Sequence, residues 1–397
     1  MKQETSSTRS MSKTVVIIGG GIAGVSAAEE IRAKDATCDI FIIERENNPL
    51  YSRVLLPHYV KGVIPREKVF LKSEAWYAEK NISYLSGTEA WEIDTRNKFV
   101  RISDDRELSY DVLIIATGTH PRLLGEHAKG VHYLYTLSDA DGIREHIGRL
   151  TLEDEAVVYG GGFISCEFIN ALMKAGKKPR VLLRGKGFWS KTLLPEGQQV
   201  LHDVLTGEGV EVCEDVGDIE ICMQGDALIG IKDIHGKEYP AHFLGVGIGA
   251  EPETELAGGA GVEVQEGILA QENLLTSAAD VYTAGDVAQT TDAFTRRSRI
   301  HGNWAHAQQE GRKVGKMCRG EAPAELPLSQ YTTELLGCKI AFLGDVQKDM
   351  ADEVKVMPAD TGYVQIFIRK NILVGVILLG NMADRMRLAG MIGKVWE

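Results

Sequence analysis

Neither a C-x-x-C pair nor a zinc-ligand spacing occurs among the six cysteines, Cys38, Cys166, Cys213, Cys222, Cys318 and Cys338. That disfavours a metal centre or a C-x-x-C redox centre, and leaves reduced, buried thiols in a cytoplasmic protein as the reading of all six. No apolar run approaches the ~20 residues that a membrane-spanning helix needs. Residues 1–12 are polar and rich in Ser and Thr, and lack the apolar stretch of a signal peptide. They read as a disordered extension, with Met11 as an alternative start. Positive charge is also in deficit, 44 Lys and Arg against 56 Asp and Glu, for a net charge of −12. Phosphate would be repelled, so nucleic acid is not the expected partner.

What is present is length enough for two or three domains and a glycine content of 43 in 397 residues, several of them at strand ends. Thr14 to Ile18 reads as a strand, Ile22 to about Ala33 as a helix, and Ile40 to Ile43 as a second strand ending at Glu44: a β-α-β unit. Short segments at Glu89–Ile93, Lys98–Ile102 and Glu107–Leu108 suggest an antiparallel meander. The strand Val112–Ile115 then leads into Ala116-Thr117-Gly118. A second strand–glycine–helix–strand unit starts at Glu155, with strand Ala156–Tyr159, a helix through Ala171, and strand Arg180–Leu183 ending at Arg184. The same unit thus recurs about 140 residues on, as a repeated domain type and not a solenoid. From Leu326 onward, strands at Lys339–Leu343, Tyr363–Ile368 and Leu373–Leu379 precede a helix at Ala383–Ile392. The expected fold is α/β: two Rossmann-like (three-layer ββα) nucleotide-binding domains plus a small C-terminal α+β domain.

Gly19-Gly20-Gly21-Ile22-Ala23-Gly24 satisfies G-x-G-x-x-G between a strand and a helix. Gly19 permits the tight turn, Gly21 lets backbone approach a pyrophosphate, and Gly24 lets the helix lie on the strand. The helix N-terminus offers free N–H groups and the positive end of its dipole. Glu44, 20 residues after Gly24 with Arg45 beside it, is placed to accept ribose hydroxyl bonds. Gly285-Asp286, in Tyr282-Thr283-Ala284-Gly285-Asp286, sits where a polyol chain could be bonded. Asp286 reads equally well as a helix N-cap.

The pattern Gly19-x-Gly21-x-x-Gly24, Ala116-Thr117-Gly118, Gly160-x-Gly162 and Ala284-Gly285-Asp286 resembles the FAD-dependent pyridine nucleotide-disulfide oxidoreductase superfamily over residues 14–320. Tyr51 to Leu56 and the run Ile372 to Gly380 look like the branch with rubredoxin and ferredoxin reductases and the FAD module of nitrite reductase. The resemblance implies an FAD domain from 13–122 and 250–325, an NAD(P) domain over 123–249 and the C-terminal domain over 326–397. It implies FAD on the first unit, with Gly285 and Asp286 at the pyrophosphate and ribityl chain, and Ala116, Thr117 and Gly118 close by.

In the second unit, Gly160, Gly162, Phe163 and Ile164 repeat the fingerprint, with Ser165 at the third glycine. Arg184 stands where an NADH site has an acid, and with Lys186 it favours a 2′-phosphate, hence NADPH over NADH. A surface arginine, or a unit that no longer binds nucleotide, are the other readings. Gly247-Ile248-Gly249 resembles the family's strand end beside the nicotinamide channel.

Tyr51 to Gly62 holds no cysteine where disulfide-reducing members carry a redox pair, so electrons should leave the flavin directly. The family pairs a Glu at the Glu167 position with a cation, usually lysine. Alignment puts His58 there, and Arg53–Glu167 is the expected pair, unless Arg53 makes only a surface ion pair. The helix entered through His301, Asn303, Trp304 and Ala305 should aim its N-terminus at the flavin. Trp304 reads equally as core, and His301 and His306 as structural. Arg296, Arg297 and Arg299 suggest either a basic rim for an acidic one-electron carrier or a solvated loop.

The implied activity is an FAD-dependent NAD(P)H oxidoreductase passing electrons to a rubredoxin- or ferredoxin-like carrier. An NAD(P)H oxidase or small-molecule reductase, and a slow-turnover sensor or subunit, are the alternatives. The C-terminal domain is expected either to shield the flavin or to make a homodimer contact.

Overall fold

The computed structural model describes residues 12–125, 128–151, 153–292, 294–322, 325–358 and 361–396. Apart from Ser12, the extension expected at residues 1–12 lies outside them.

In Thr14–Ile18 the four residues after Thr14 are all apolar and all buried. A strand covered on both faces must be continuous in this way, not alternating. It lies centrally in a five-stranded parallel sheet ordered Val281–Thr283, Val112–Ile115, Thr14–Ile18, Asp39–Glu44, Ile82–Ser86. The second sheet repeats the plan: Glu211–Cys213, Arg180–Leu182, Ala156–Tyr159, Phe243–Val246, Val131–His132, again all parallel. In each sheet the chain order reverses beside the first strand of the unit. A crevice opens at such a switch point, outside the strands' carboxyl ends.

Three helices position the site: α1 (Ile22–Arg32), α2 (Phe163–Lys174) and α3 (Trp304–Met317). Helix α3 lies on α1 at backbone distance. A Cβ on Gly311 would sit 2.1 Å from the Ala23 carbonyl oxygen, so only glycine fits.

The C-terminal domain is an antiparallel sheet ordered Gln330–Leu335, Cys338–Gly344, Ile372–Leu379, Tyr363–Arg369, Glu353–Met357. Its Phe342, Tyr363 and Phe367 share one core with Phe168, Leu193 and Leu201 of the second unit. Two of its strands were not expected. Gln330–Leu335 and Glu353–Met357 are the sheet edges, half-exposed and polar, so no apolar run marks them. The terminal helix is shorter than expected, Arg385–Ala389 only.

Of the sequence expectations, the meander is present at Ala90–Asp94, Phe99–Ile102 and Glu107–Ser109. The N-cap reading of Asp286 is overturned, because a strand, Ala288–Thr291, follows it. Cys38 and Cys166 are buried as expected, whereas Cys213, Cys222, Cys318 and Cys338 are half-exposed.

Candidate functional site

Gly19 adopts φ +107°, and the turn it allows brings the chain against Ala116 and into α1. A Cβ on Gly21 would meet nothing within 4 Å, so this residue faces open space. That space is a cavity of about 1080 Å³, at the upper end of small-molecule sites and suited to an extended dinucleotide.

The cavity is lined by eighteen of the residues singled out in the sequence: Gly19, Gly21, Ile22, Ala23, Glu44, Arg45, Arg53, Ala116, Thr117, Gly118, Phe163, Ile164, Glu167, Gly285, Asp286, Asn303, Trp304 and Ala305. Gly24 stands behind it, where a Cβ would lie 2.0 Å from the Gly19 oxygen. Gly160, Gly162, Arg184 and Gly249 are not in its wall. The meander adds Ala90, Trp91 and Glu92, and the C-terminal domain adds Gln330, Tyr331, Thr332 and Thr333.

Both oxygens of Glu44 accept backbone N–H groups, from Gly20 at 2.6 Å and Glu46 at 2.8 Å. Burial nevertheless holds its pKa above the ordinary value. Burial, and then the neighbouring Glu310, push Asp286 up to about 6. Glu310, on α3, accepts the Gly285 N–H at 2.7 Å and lies 3.4 Å from His306. Helix α3 is capped by Asn303, whose side chain accepts the His306 N–H at 2.8 Å. Its free N–H groups therefore face the cavity beside Trp304.

The expected Arg53–Glu167 pair does not form. Arg53 pairs with Glu46 at 2.8 Å, donates to the Tyr135 carbonyl at 2.6 Å and lies 4.3 Å from the Tyr135 ring centroid. Burial works against its charge, but Tyr135, Tyr51 and Glu46 outweigh it and raise its pKa. Glu167 instead meets Lys61 at 3.1 Å, with both side chains largely buried, and accepts the Thr333 hydroxyl at 3.0 Å. Lys61 follows the short helix Leu56–Val60, while His58 is exposed. Lys61 is the only lysine between Tyr51 and Gly62, which marks it as a candidate cation without marking its partner.

The expected basic rim is corrected as well. Arg297 pairs with Asp345 at 2.7 Å and Arg299 with Asp292 at 2.7 Å, both acids buried. These two arginines tie the loop to the C-terminal domain, and only Arg296 stays largely in solvent. His301 stacks on His306 at 3.8 Å between ring centroids, and burial brings it down to about 3. Both stand in a buried polar layer, in keeping with a structural role.

The second glycine turn is formed. Ser165 is buried, and its hydroxyl reaches the Gly247 oxygen at 3.4 Å, so serine fits at the third glycine. The strand stops at Leu182, and Arg184 lies two residues beyond it in solvent, 3.1 Å from Asp218.

An FAD fits these residues: an open glycine cradle, a helix N-terminus, a half-buried carboxyl at Asp286 and a cavity reaching to Phe163 and Glu167 of the second unit. Among the described residues no helix is long and apolar enough to cross a membrane, and no cluster could hold a metal ion.

The pyridine nucleotide-disulphide oxidoreductase family matches residues 13–311, and the rubredoxin NAD+ reductase C-terminal domain matches residues 334–395. The rubredoxin-NAD(+) reductase of Ectopseudomonas oleovorans is 30% identical over 347 residues, covering 83% of this chain and 86% of its own. The benzene 1,2-dioxygenase system ferredoxin–NAD(+) reductase subunit of Pseudomonas putida is 28% identical over 340 residues, with 85% and 82% covered. The fold matches a chain of the covalent putidaredoxin reductase–putidaredoxin complex with a TM-score of 0.88 at 24% identity, covering 96% of this chain and 93% of that one. The chain therefore belongs to the pyridine nucleotide-disulphide oxidoreductase family and is an FAD-dependent NAD(P)H oxidoreductase.

Proposed function

We propose that this chain carries electrons from NADPH or NADH, by way of FAD, to a one-electron carrier protein of the rubredoxin or ferredoxin kind. The observation that carries the reading is one continuous cavity. It runs from the Gly19–Gly21 turn to Phe163, Ile164 and Glu167, and no cysteine stands in its wall. Electrons that arrive there have no thiol relay to leave by.

When bound, FAD supplies the acceptor for nicotinamide hydride and the donor to the carrier. The chain's own residues do the rest. The Gly19–Gly21 turn and the α1 N-terminus take the pyrophosphate. Glu44 and Arg45 would hold the ribose, and Asp286 the polyol. Glu167 stands in the wall as a fixed charge, paired with Lys61 and oriented by Thr333. The N-terminus of α3 favours negative charge in front of it without moving. Gly160, Gly162 and Gly249 would seat the nicotinamide nucleotide, and Arg184 would choose between its two forms.

The corresponding division is 13–122 with 250–325 for FAD, 123–249 for NAD(P) and 326–397 for the C-terminal domain. Because Tyr331 and Thr333 wall the cavity, the last domain shields it, which supports shielding over a homodimer contact. An acidic face on the carrier now rests on Arg296 alone. A cytoplasmic location belongs to the same reading.

An anaerobic titration with NADH and, separately, NADPH tests it, followed by oxidised rubredoxin or a [2Fe–2S] ferredoxin. Bleaching and then carrier reduction are expected. Carriers left oxidised, with oxygen or quinone consumed at turnover rates, would instead mark an oxidase or small-molecule reductase.

A further inference from the structure

The Gly160–Gly162 turn is not shaped by its own unit alone. Residues 185–194, which follow the strand Arg180–Leu182, lie directly against it. The Trp189 N–H donates to the Gly161 carbonyl at 2.9 Å, and a Cβ on Gly161 would come within 3.2 Å of the Phe188 Cα. The Trp189 ring meets Phe163, the first residue of α2, edge to face at 5.2 Å. Wherever this segment goes, the turn and Phe163 must follow.

The segment is held from outside, by the C-terminal domain. Gln365 is fully buried in the strand Tyr363–Arg369. Its carbonyl oxygen accepts the Leu194 N–H at 2.9 Å and the Tyr363 hydroxyl at 2.6 Å, and its amide nitrogen donates to the Thr192 carbonyl at 2.8 Å. Lys348 donates to the Ser190 carbonyl at 2.7 Å and the Leu193 carbonyl at 2.9 Å. A buried amide in an apolar strand is costly unless bonded at both ends. Two of its three partners here are backbone groups of the segment.

We propose that Gln365 and Lys348 are positioning residues for the nicotinamide nucleotide: the C-terminal domain clamps residues 189–194, and the clamp sets the shape of the Gly160–Gly162 turn. Nucleotide affinity thus answers to a domain that does not carry the nucleotide motif. The proposal rests on that turn being the nicotinamide site.

The test compares Gln365→Met, Lys348→Met and Lys348→Arg in the flavin-loaded protein. KM and kcat for NADPH and NADH are read with flavin content and backbone hydrogen exchange over residues 189–194. Gln365→Met should raise KM about tenfold and Lys348→Met about threefold, with kcat within about twofold, since only nucleotide positioning is lost. Exchange over the segment should quicken in both. Lys348→Arg keeps the donors and should restore KM and protection. Unchanged KM in the methionine variants, whether or not exchange quickens, overturns the proposal. If Gln365→Met does not fold, the half-buried Lys348 pair decides alone. Wild type that binds neither nucleotide brings down the reading of the turn, a result distinct from variants that bind as wild type does.

Discussion

Lys61 Nζ lies 3.1 Å from Glu167 Oε2, joining the segment after Tyr51 to the second unit's helix, whose Glu167 lines the cavity. The pair is largely withdrawn from water, so removing one partner leaves the other charge uncompensated. Lys61→Met and Glu167→Gln should therefore slow bleaching of the flavin by NAD(P)H by roughly 10–100-fold, below the ~100–1,000-fold that losing a donor aimed directly at developing charge costs. Arg53→Met should act on flavin retention instead, because Arg53 pairs with Glu46 and not with Glu167. Stopped-flow reduction and flavin content separate the two. Equal rates in Lys61→Met and wild type would remove the pair from the mechanism.

The preference between the two nicotinamide nucleotides turns on Arg184 and Asp218. Asp218 holds the guanidinium at 3.1 Å in solvent, and a 2′-phosphate must compete with it. Asp218→Ala should shift kcat/KM toward NADPH by about fivefold, and Arg184→Glu toward NADH by about tenfold or more, the scale of an exposed charge pair and of a charge reversal. Steady-state kinetics with both nucleotides at low ionic strength is the measurement. Preferences that do not move would place the ribose elsewhere.

His132 Nε2 and His146 Nδ1 share a 2.7 Å hydrogen bond that ties the strand Val131–His132 to the helix Leu137–Arg149. Burial, and then His146, bring His132 down to about 4. The folded chain thus keeps it neutral where the unfolded chain, near 6.5, takes up a proton. Its contribution to stability is complete above pH 6.5 and is lost as the pH falls toward 4. His132→Phe keeps the stacking on Phe243 and removes the titration. Its thermal midpoint should fall less than that of wild type between pH 7 and 5, by calorimetry. Parallel slopes would show that this histidine does not carry the effect.

Much of the site was legible because its demands are local. A strand, a glycine turn and a helix N-terminus are contiguous in the chain, and Gly19, Gly21, Ala116, Gly285 and Asp286 all line the cavity. Partners were less legible. Arg53 stands nearer the apolar Val54 to Leu56 run and looked the better cation, yet a neighbour seven residues back, Glu46, takes it.

The order of residues alone determined two parallel sheets and their glycine turns, because hydrophobic periodicity and backbone freedom act over a few residues at a time. Which charges meet was settled only in three dimensions. Lys61 finds Glu167 across 106 positions, Arg297 finds Asp345 across 48, and Gln365 finds Thr192 across 173. Desolvation rewards whichever opposite group the packed cores bring within reach, and spacing along the chain carries no record of that distance.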